Sequence, residues 1–181
     1  MTAIPGITYA VTSNGAAIEN LSQGQRIYCN LLDKETSLSI LNTLSSQDVM
    51  IEVFIQGKAY TEQRFLNHLT HYGTSEHYIP YVLSTRNSVN DIRSLIEQSP
   101  QNIENINLKT ADRTLRERLW NQFALMQTVS ITASSSMNIE VSAVNTGKAQ
   151  AIAYLCEMLG ITMHEVMACL LYTSDAADDM Q

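Results

Sequence analysis

Apolar and polar positions along the chain switch several times between a period of two and a period of three to four, the marks of strands and of helices. The opening stretch GITYAVTSNGAAIEN alternates weakly, breaks at Asn14-Gly15 and resumes, and LSQGQRIYCNL follows with another glycine. This pattern predicts short strands joined by tight turns. In DKETSLSILNTLSSQ, Leu38, Leu41 and Leu44 share a helical face and Asp33 stands where an N-cap belongs. MIEVFIQGKAY alternates at Ile51, Val53 and Ile55 before Gly57, which predicts a strand and a turn. The polar stretch TEQRFLNHLTHYGTSEHYIPYV, with scattered aromatics, reads as helix and then loop.

Further on, STRNSVNDIRSLIEQSP predicts a helix capped by Ser88, with Asp91 in the first turn, Val89, Ile92, Leu95 and Ile96 on one face, and Pro100 after the stop. NIENINLKT reads as a strand, and ADRTLRERLWNQFALM as a helix with Leu115, Leu119, Trp120 and Phe123 turned inward. Two strands follow. In TVSITA, Val129 and Ile131 alternate with polar residues; in MNIEVSA, Met137, Ile139, Val141 and Ala143 alternate with Asn138, Glu140 and Ser142, which predicts one buried face. The Ser134–Ser136 run is the turn between them. In NTGKAQAIAYLCEMLGITMHEVMA, Ile152, Leu155, Cys156 and Leu159 mark a helix that Gly160 ends. Thr162 and Glu165 form a capping box, which predicts another helix running past Met167. Helices interspersed with paired strands define an α/β or α+β class.

Composition narrows the function classes. With 181 residues, 45% hydrophobic and 16% charged, the chain is expected to be soluble and globular and can bury a proper core as one large domain or two small ones. Eighteen acidic against eleven basic residues give a net charge of −7, which argues against nucleic acid and anionic membrane as partners. No apolar run approaches a membrane span, and MTAIPGITYA lacks the basic and apolar regions of a secretory signal. Cys29, Cys156 and Cys169 are scattered without a C-x-x-C pair, so reduced thiols and a cytoplasmic location are expected.

Three stretches in order carry a resemblance. YAVTSNGAAIEN, then a mixed α/β insert, then MNIEVSAVNTGKAQAIAYLCEMLGITMHEVMA resemble the haloacid dehalogenase superfamily in its Cof-type (class IIB) hydrolases. There a Rossmann-like core is interrupted by an α/β cap, entered after I-T-S-N-G-A and left through a strand and a lysine segment. The resemblance implies an α/β fold with mixed sheets and helices. It implies a core remnant with the hairpin leading into the cap at residues 1–25, an α/β cap at 26–143, and core helices at 144–168. It also implies a Mg²⁺-dependent phosphatase acting on small phosphorylated metabolites through an aspartyl-phosphate. Lys148, in NTGKAQ, corresponds to the family's lysine, which stabilises negative charge shared by nucleophile and phosphoryl group. Asn14 and Gly15 correspond to the N-G-A turn near the substrate.

The departures from the family pattern matter as much. The family's nucleophile lies in a D-x-D-G-T segment, and Asp33, in LLDKETS, does not fit it. The nucleophile is therefore expected to be absent and the chain to be an inactive fragment of its parent enzyme. The family's metal-binding G-D should directly follow EVMA, but CLLYTSDAADD follows Ala168 instead. Ser174, Asp175 and Asp179 mimic the loop's spacing, with Asp178 where Asn is usual, yet they come late by the length of CLLYT. Cys169–Asp178 resembles the translation of a transposase mosaic-end adapter, so residues 169–181 are expected to be a non-native tail and no residue is assigned as a metal ligand.

Several residues also have plainer readings. On its own, Lys148 is a solvated lysine in a first helical turn, and Asn14-Gly15 is a hairpin turn. His68 and His71 could share a helix face near His77, but no Cys or carboxylate has a spacing that completes a metal site. Trp120 and Phe123 at helical spacing read as core. The competing class is a free-standing α/β ligand-binding or interaction module without chemistry.

Overall fold

The computed structural model describes residues 6–167. In chain order its elements are β1 (Tyr9–Thr12), β2 (Ala17–Asn20), β3 (Gln25–Cys29), α1 (Lys34–Leu44), β4 (Met50–Ile55), β5 (Lys58–Glu62), α2 (Gln63–Leu66) and α3 (Ile79–Thr85). They continue with β6 (Arg86–Val89), α4 (Ile92–Gln98), β7 (Asn105–Lys109), α5 (Arg113–Ala124), β8 (Val129–Thr132), β9 (Asn138–Ala143) and α6 (Lys148–Leu159). This is an α/β architecture in two compact units. Leu31–Val144 forms one, and the described residues before Leu31 and after Val144 form the other.

In the smaller unit, β1, β2 and β3 make a three-stranded antiparallel sheet in chain order. Helix α6 belongs to it, with Tyr154 stacked on Tyr28 of β3 at 4.5 Å between ring centroids. Gly160 closes α6 in the left-handed conformation (φ 68°), and Ile161 N–H bonds back to Cys156 O at 3.0 Å. The capping box at Thr162 and Glu165 forms as predicted, but it starts only a 3₁₀ turn, Met163–Glu165, and Val166 is already extended. The expected helix past Met167 is therefore absent from the described residues. A short helix needs an apolar surface to pack on, and Ile161, Met163 and Met167 are all exposed.

In the larger unit, six strands run in the order β6-β5-β4-β7-β9-β8, all antiparallel except the β5–β6 pair. The β4–β5 hairpin turns through Gln56 (φ 51°) and Gly57 (φ 71°), the two left-handed residues of a tight hairpin. The buried Glu104 carboxylate accepts a hydrogen bond from Gly57 N–H at 3.0 Å and so fixes that turn.

Strand register sorts the side chains into rows. Ile131, Val141, Ile106 and Val53 lie opposite one another across four strands. They join Ile40, Leu44, Ile92, Ile96, Leu119 and Phe123 of α1, α4 and α5 in one apolar core. The adjacent row is polar across all six strands: Thr132, Glu140, Asn107, Glu52, Thr61 and Ser88.

This polar side corrects the expectation of a single buried face on β9, because Asn138 and Ser142 are buried as well as Ile139 and Val141. The polar groups can be buried because they satisfy one another. Glu52, fully buried, takes Arg86 Nε at 2.6 Å and Asn107 Nδ2 at 2.6 Å. Asn138 Nδ2 reaches Asn107 Oδ1 at 3.1 Å, and Asn105 Nδ2 reaches Ser142 Oγ at 3.0 Å. Arg86 lies 5.5 Å from the Tyr81 ring centroid and 5.9 Å from that of Phe54. Its pKa is raised: burial alone would lower it, but the Glu52 carboxylate more than reverses that effect.

The helix starts follow local chemistry. Asp33 caps α1 through Thr36 N–H at 2.7 Å, and Asp112 caps α5 through Leu115 N–H at 3.0 Å. For α4 the cap is Asp91, not Ser88: the Asp91 carboxylate accepts from Arg93 and Ser94 N–H, while Ser88 lies in β6 and donates to Gln63 Oε1. Three residues nearer the helix, a carboxylate reaches two free amides at once, which a Ser88 hydroxyl does not. Trp120 of α5 is half-buried against the core, with Arg116 over its ring at 4.9 Å. Among the described residues no helix is long and apolar enough to cross a membrane.

Two predictions follow from this packing. Glu52→Ala leaves the Arg86 guanidinium buried without its counter-charge and should cost about 3–5 kcal/mol by urea denaturation. A Glu52→Leu/Arg86→Met pair should recover most of that loss, which a double-mutant cycle measures. The second concerns acid. Thr36 N–H lowers the Asp33 carboxyl, and the Ser94 hydroxyl and N–H lower that of Asp91, each from an ordinary value of 3.8. A folded-state pKa below the unfolded one gives stability that is present above the unfolded value and lost as pH falls through the folded one. Denaturant midpoints should therefore drop as pH goes below 3.8. Asp33→Ala should lose about 1 kcal/mol at pH 7 and show a smaller drop into acid than the parent chain.

Candidate functional site

The residues singled out near the start and the end of the chain meet inside the smaller unit. Strand β1 ends at Thr12, which pairs with Ala17 of β2, and the chain reverses through Ser13–Ala16. Ser13 (φ 50°), Asn14 (φ 55°) and Gly15 (φ 97°) are all left-handed, and Ala16 N–H closes the turn on Ser13 O at 3.0 Å. Asn tolerates this conformation; Ser does so at a cost of about 1–2 kcal/mol. Gly15 is required for a second reason. A Cβ there would stand 2.2 Å from Gly147 O and 3.0 Å from Lys148 N. The turn is thus seated directly on the Gly147–Lys148 peptide.

On the other side of this contact, Gly147 is the N-cap of α6 and Lys148 its first residue. Gly147 O also accepts the first helical hydrogen bond, from Ala151 N–H at 3.0 Å. The first turn of α6 carries no acidic residue, and the exposed Lys148 places a positive charge at the positive end of the helix dipole. That placement is locally unfavourable by a few tenths of a kcal/mol, and it leaves a cation and unneutralised helix amides at one end of α6. An arrangement of that kind favours negative charge.

Two residues that the sequence pattern did not single out complete the neighbourhood. Asn30 N–H donates to Ala16 O at 2.8 Å, and its side-chain amide donates to Thr146 Oγ1 at 3.0 Å. Thr146 is buried. No local signal marks this pair, because its partners lie 116 residues apart. Asn145, just before it, is left-handed at φ 62°.

Elsewhere the described aspartates are committed to structure. Of seven aspartates in the sequence, four lie in the described residues. Asp33, Asp91 and Asp112 are helix caps, and Asp48 Oδ2 sits 2.6 Å from His71 Nε2. His71 lowers the Asp48 carboxyl by its hydrogen bond. His71 also meets Tyr72 edge-on, as His77 meets Tyr78. Among the described residues no three His, Cys, Asp or Glu side chains come together as a metal site. The described residues by themselves therefore do not fit the Mg²⁺ that the family resemblance implies. Ser174, Asp175, Asp178 and Asp179, together with the tail expected from Cys169 onward, lie outside the described residues.

Solved structures with the same fold include a haloacid dehalogenase-like hydrolase from B. subtilis (TM-score 0.73, 22% identity) that covers 88% of this chain and 62% of its own. A haloacid dehalogenase-like hydrolase from Bacteroides thetaiotaomicron (TM-score 0.69, 17% identity) covers 87% of this chain and 56% of its own. A subclass IIB sugar phosphatase of the same superfamily (TM-score 0.59, 12% identity) covers 88% and 55%. The chain thus spans between 55% and 62% of the length of these three proteins. No curated protein sequence matches it. The sequence fits the profile of the haloacid dehalogenase-like hydrolases over residues 2–169, and the chain belongs to that family.

Proposed function

We propose that this chain is the cap, flanked by short pieces of a Rossmann-like core, of a Mg²⁺-dependent Cof-type (class IIB) phosphatase. The proposed parts are core pieces at residues 1–25 and 144–168, a cap at 26–143 and a non-native tail at 169–181. The parent enzyme acts in the cytoplasm on a small phosphorylated metabolite, a sugar phosphate or a similar compound, through an aspartyl-phosphate. The observation that carries this reading is Gly15 seated on the Gly147–Lys148 peptide, which joins the two stretches where the family keeps its substrate turn and its lysine. The likeness in fold to a subclass IIB sugar phosphatase supports the substrate class.

In this reading Lys148 supplies a point positive charge where negative charge gathers on the transferring phosphoryl group. Asn14 and Gly15 shape the substrate side of the same corner. The nucleophile and the metal carboxylates come from sequence this chain does not carry. That all four described aspartates serve as caps or pair with histidine supports this division.

The 181-residue chain should therefore show no Mg²⁺-dependent hydrolysis of p-nitrophenyl phosphate above a Lys148→Met control. Turnover that requires Lys148 would contradict the fragment reading. In the source DNA, the frame upstream of Met1 should read D-x-D-G-T; a ribosome-binding site and stop codon immediately before Met1 would instead favour a module without chemistry.

A further inference from the structure

Asn30 stands where the chain leaves the smaller unit, and Asn145 where it returns. Around these two points runs a closed circuit of contacts. Asn30 N–H holds Ala16 O at 2.8 Å, and the neighbouring Gly15 lies against Gly147 O. Gly147 follows Thr146 in the chain, and Thr146 Oγ1 accepts the Asn30 side-chain amide at 3.0 Å. One residue therefore grips both walls of the corner in which Lys148 begins its helix: the left-handed turn through its backbone, the helix start through its side chain.

We infer that Asn30 is a positioning residue for Lys148, acting through Thr146. The inference rests on the proposed role of Lys148. Gly15 and Gly147 set how closely the two walls approach, but two glycines in contact present no side chain that would stop one backbone sliding along the other. The Asn30–Thr146 hydrogen bond supplies a directional restraint between them. Thr146 is only 7% exposed, so water has little access to replace the amide once it withdraws. The left-handed Asn145 aims the returning chain into this bond, and the next residue but one after Thr146 is Lys148. Because the bond spans both crossings of the chain, it fixes the start of α6 relative to the end of β3, the strand from which residue 30 departs.

The test reads backbone protection in the full 181-residue chain by amide hydrogen exchange. Thr146→Val removes the acceptor and keeps the shape. It should speed exchange of the Ala151 amide, which bonds to Gly147 O, by about fivefold to tenfold, the worth of one hydrogen bond. The Ile161 amide at the far end of α6, bonded to Cys156 O, should keep its parent rate. The Lys148 amide resonance should shift in Thr146→Val and return to its parent position in Thr146→Ser, which restores the hydroxyl. If Thr146→Val does not fold, Asn30→Ala removes the donor and should give the same local pattern.

Unchanged Ala151 exchange and an unmoved Lys148 resonance would overturn the inference. So would acceleration spread equally to Ile161, since that marks a general loss of stability, or a failure of Thr146→Ser to restore the parent signals. Neither readout involves turnover, so this outcome and that of the phosphatase assay are separable.

Discussion

The smaller unit depends on a single close approach, in which the carbonyl of Gly147 occupies the place where residue 15 would carry a Cβ. No side chain can be accommodated there without parting the turn from the helix start. The same carbonyl accepts the first hydrogen bond of α6, so the contact ties the geometry of the turn to the first turn of the helix. Ser13 and Asn14 hold left-handed conformations beside it. Such conformations persist where surrounding structure over-determines them, and here β1 and β2 clamp the turn on both sides through the Thr12–Ala17 pair.

The larger unit solves a different problem. A six-stranded sheet has two faces, and only one of them carries the apolar row that α1, α4 and α5 cover. The other holds Glu52, Asn107, Asn138 and Thr61, all buried. Burying an ionised carboxylate is costly unless charge and hydrogen bonds replace its water. Arg86 and Asn107 do that for Glu52, and the amide of Asn138 extends the network to a fourth strand. A register slip by one residue would turn this row toward the apolar core. The polar network therefore disfavours wrong pairings of the same strands.

The chemistry left to the chain is narrow for a related reason. Its described aspartates hold helix amides or His71. What remains near the turn is a cation at a helix start. Under the proposed function that cation is an electrostatic partner for chemistry carried out by other groups, and the chain spans between 55% and 62% of the length of three structural relatives.

The local signals in the sequence determined a good deal. The period of two in MIEVFI and MNIEVSA, the caps Asp33 and Gly160, and the turn residues Asn14-Gly15 and Gln56-Gly57 all act over a few positions, so their outcome is readable from neighbours alone. Lys148, Asn14 and Gly15 entered the candidate site only through the order of motifs, because nothing in NTGKAQ or TSNGAA by itself separates a site from a solvated helix end or a hairpin. Where reading failed, distant partners decided. Asp91 displaced Ser88 as a cap once β6 paired with β5, and the buried polar groups of β9, Asn138 and Ser142, are satisfied by Asn107 and Asn105 of the neighbouring β7. The turn after Thr162 stayed a single 3₁₀ turn for want of an apolar surface beneath it. The Asn30–Thr146 bond, across 116 residues, belongs wholly to the tertiary structure. Hydrogen-bond partners brought together by folding leave no period in the sequence, whereas caps, turns and alternating strands do.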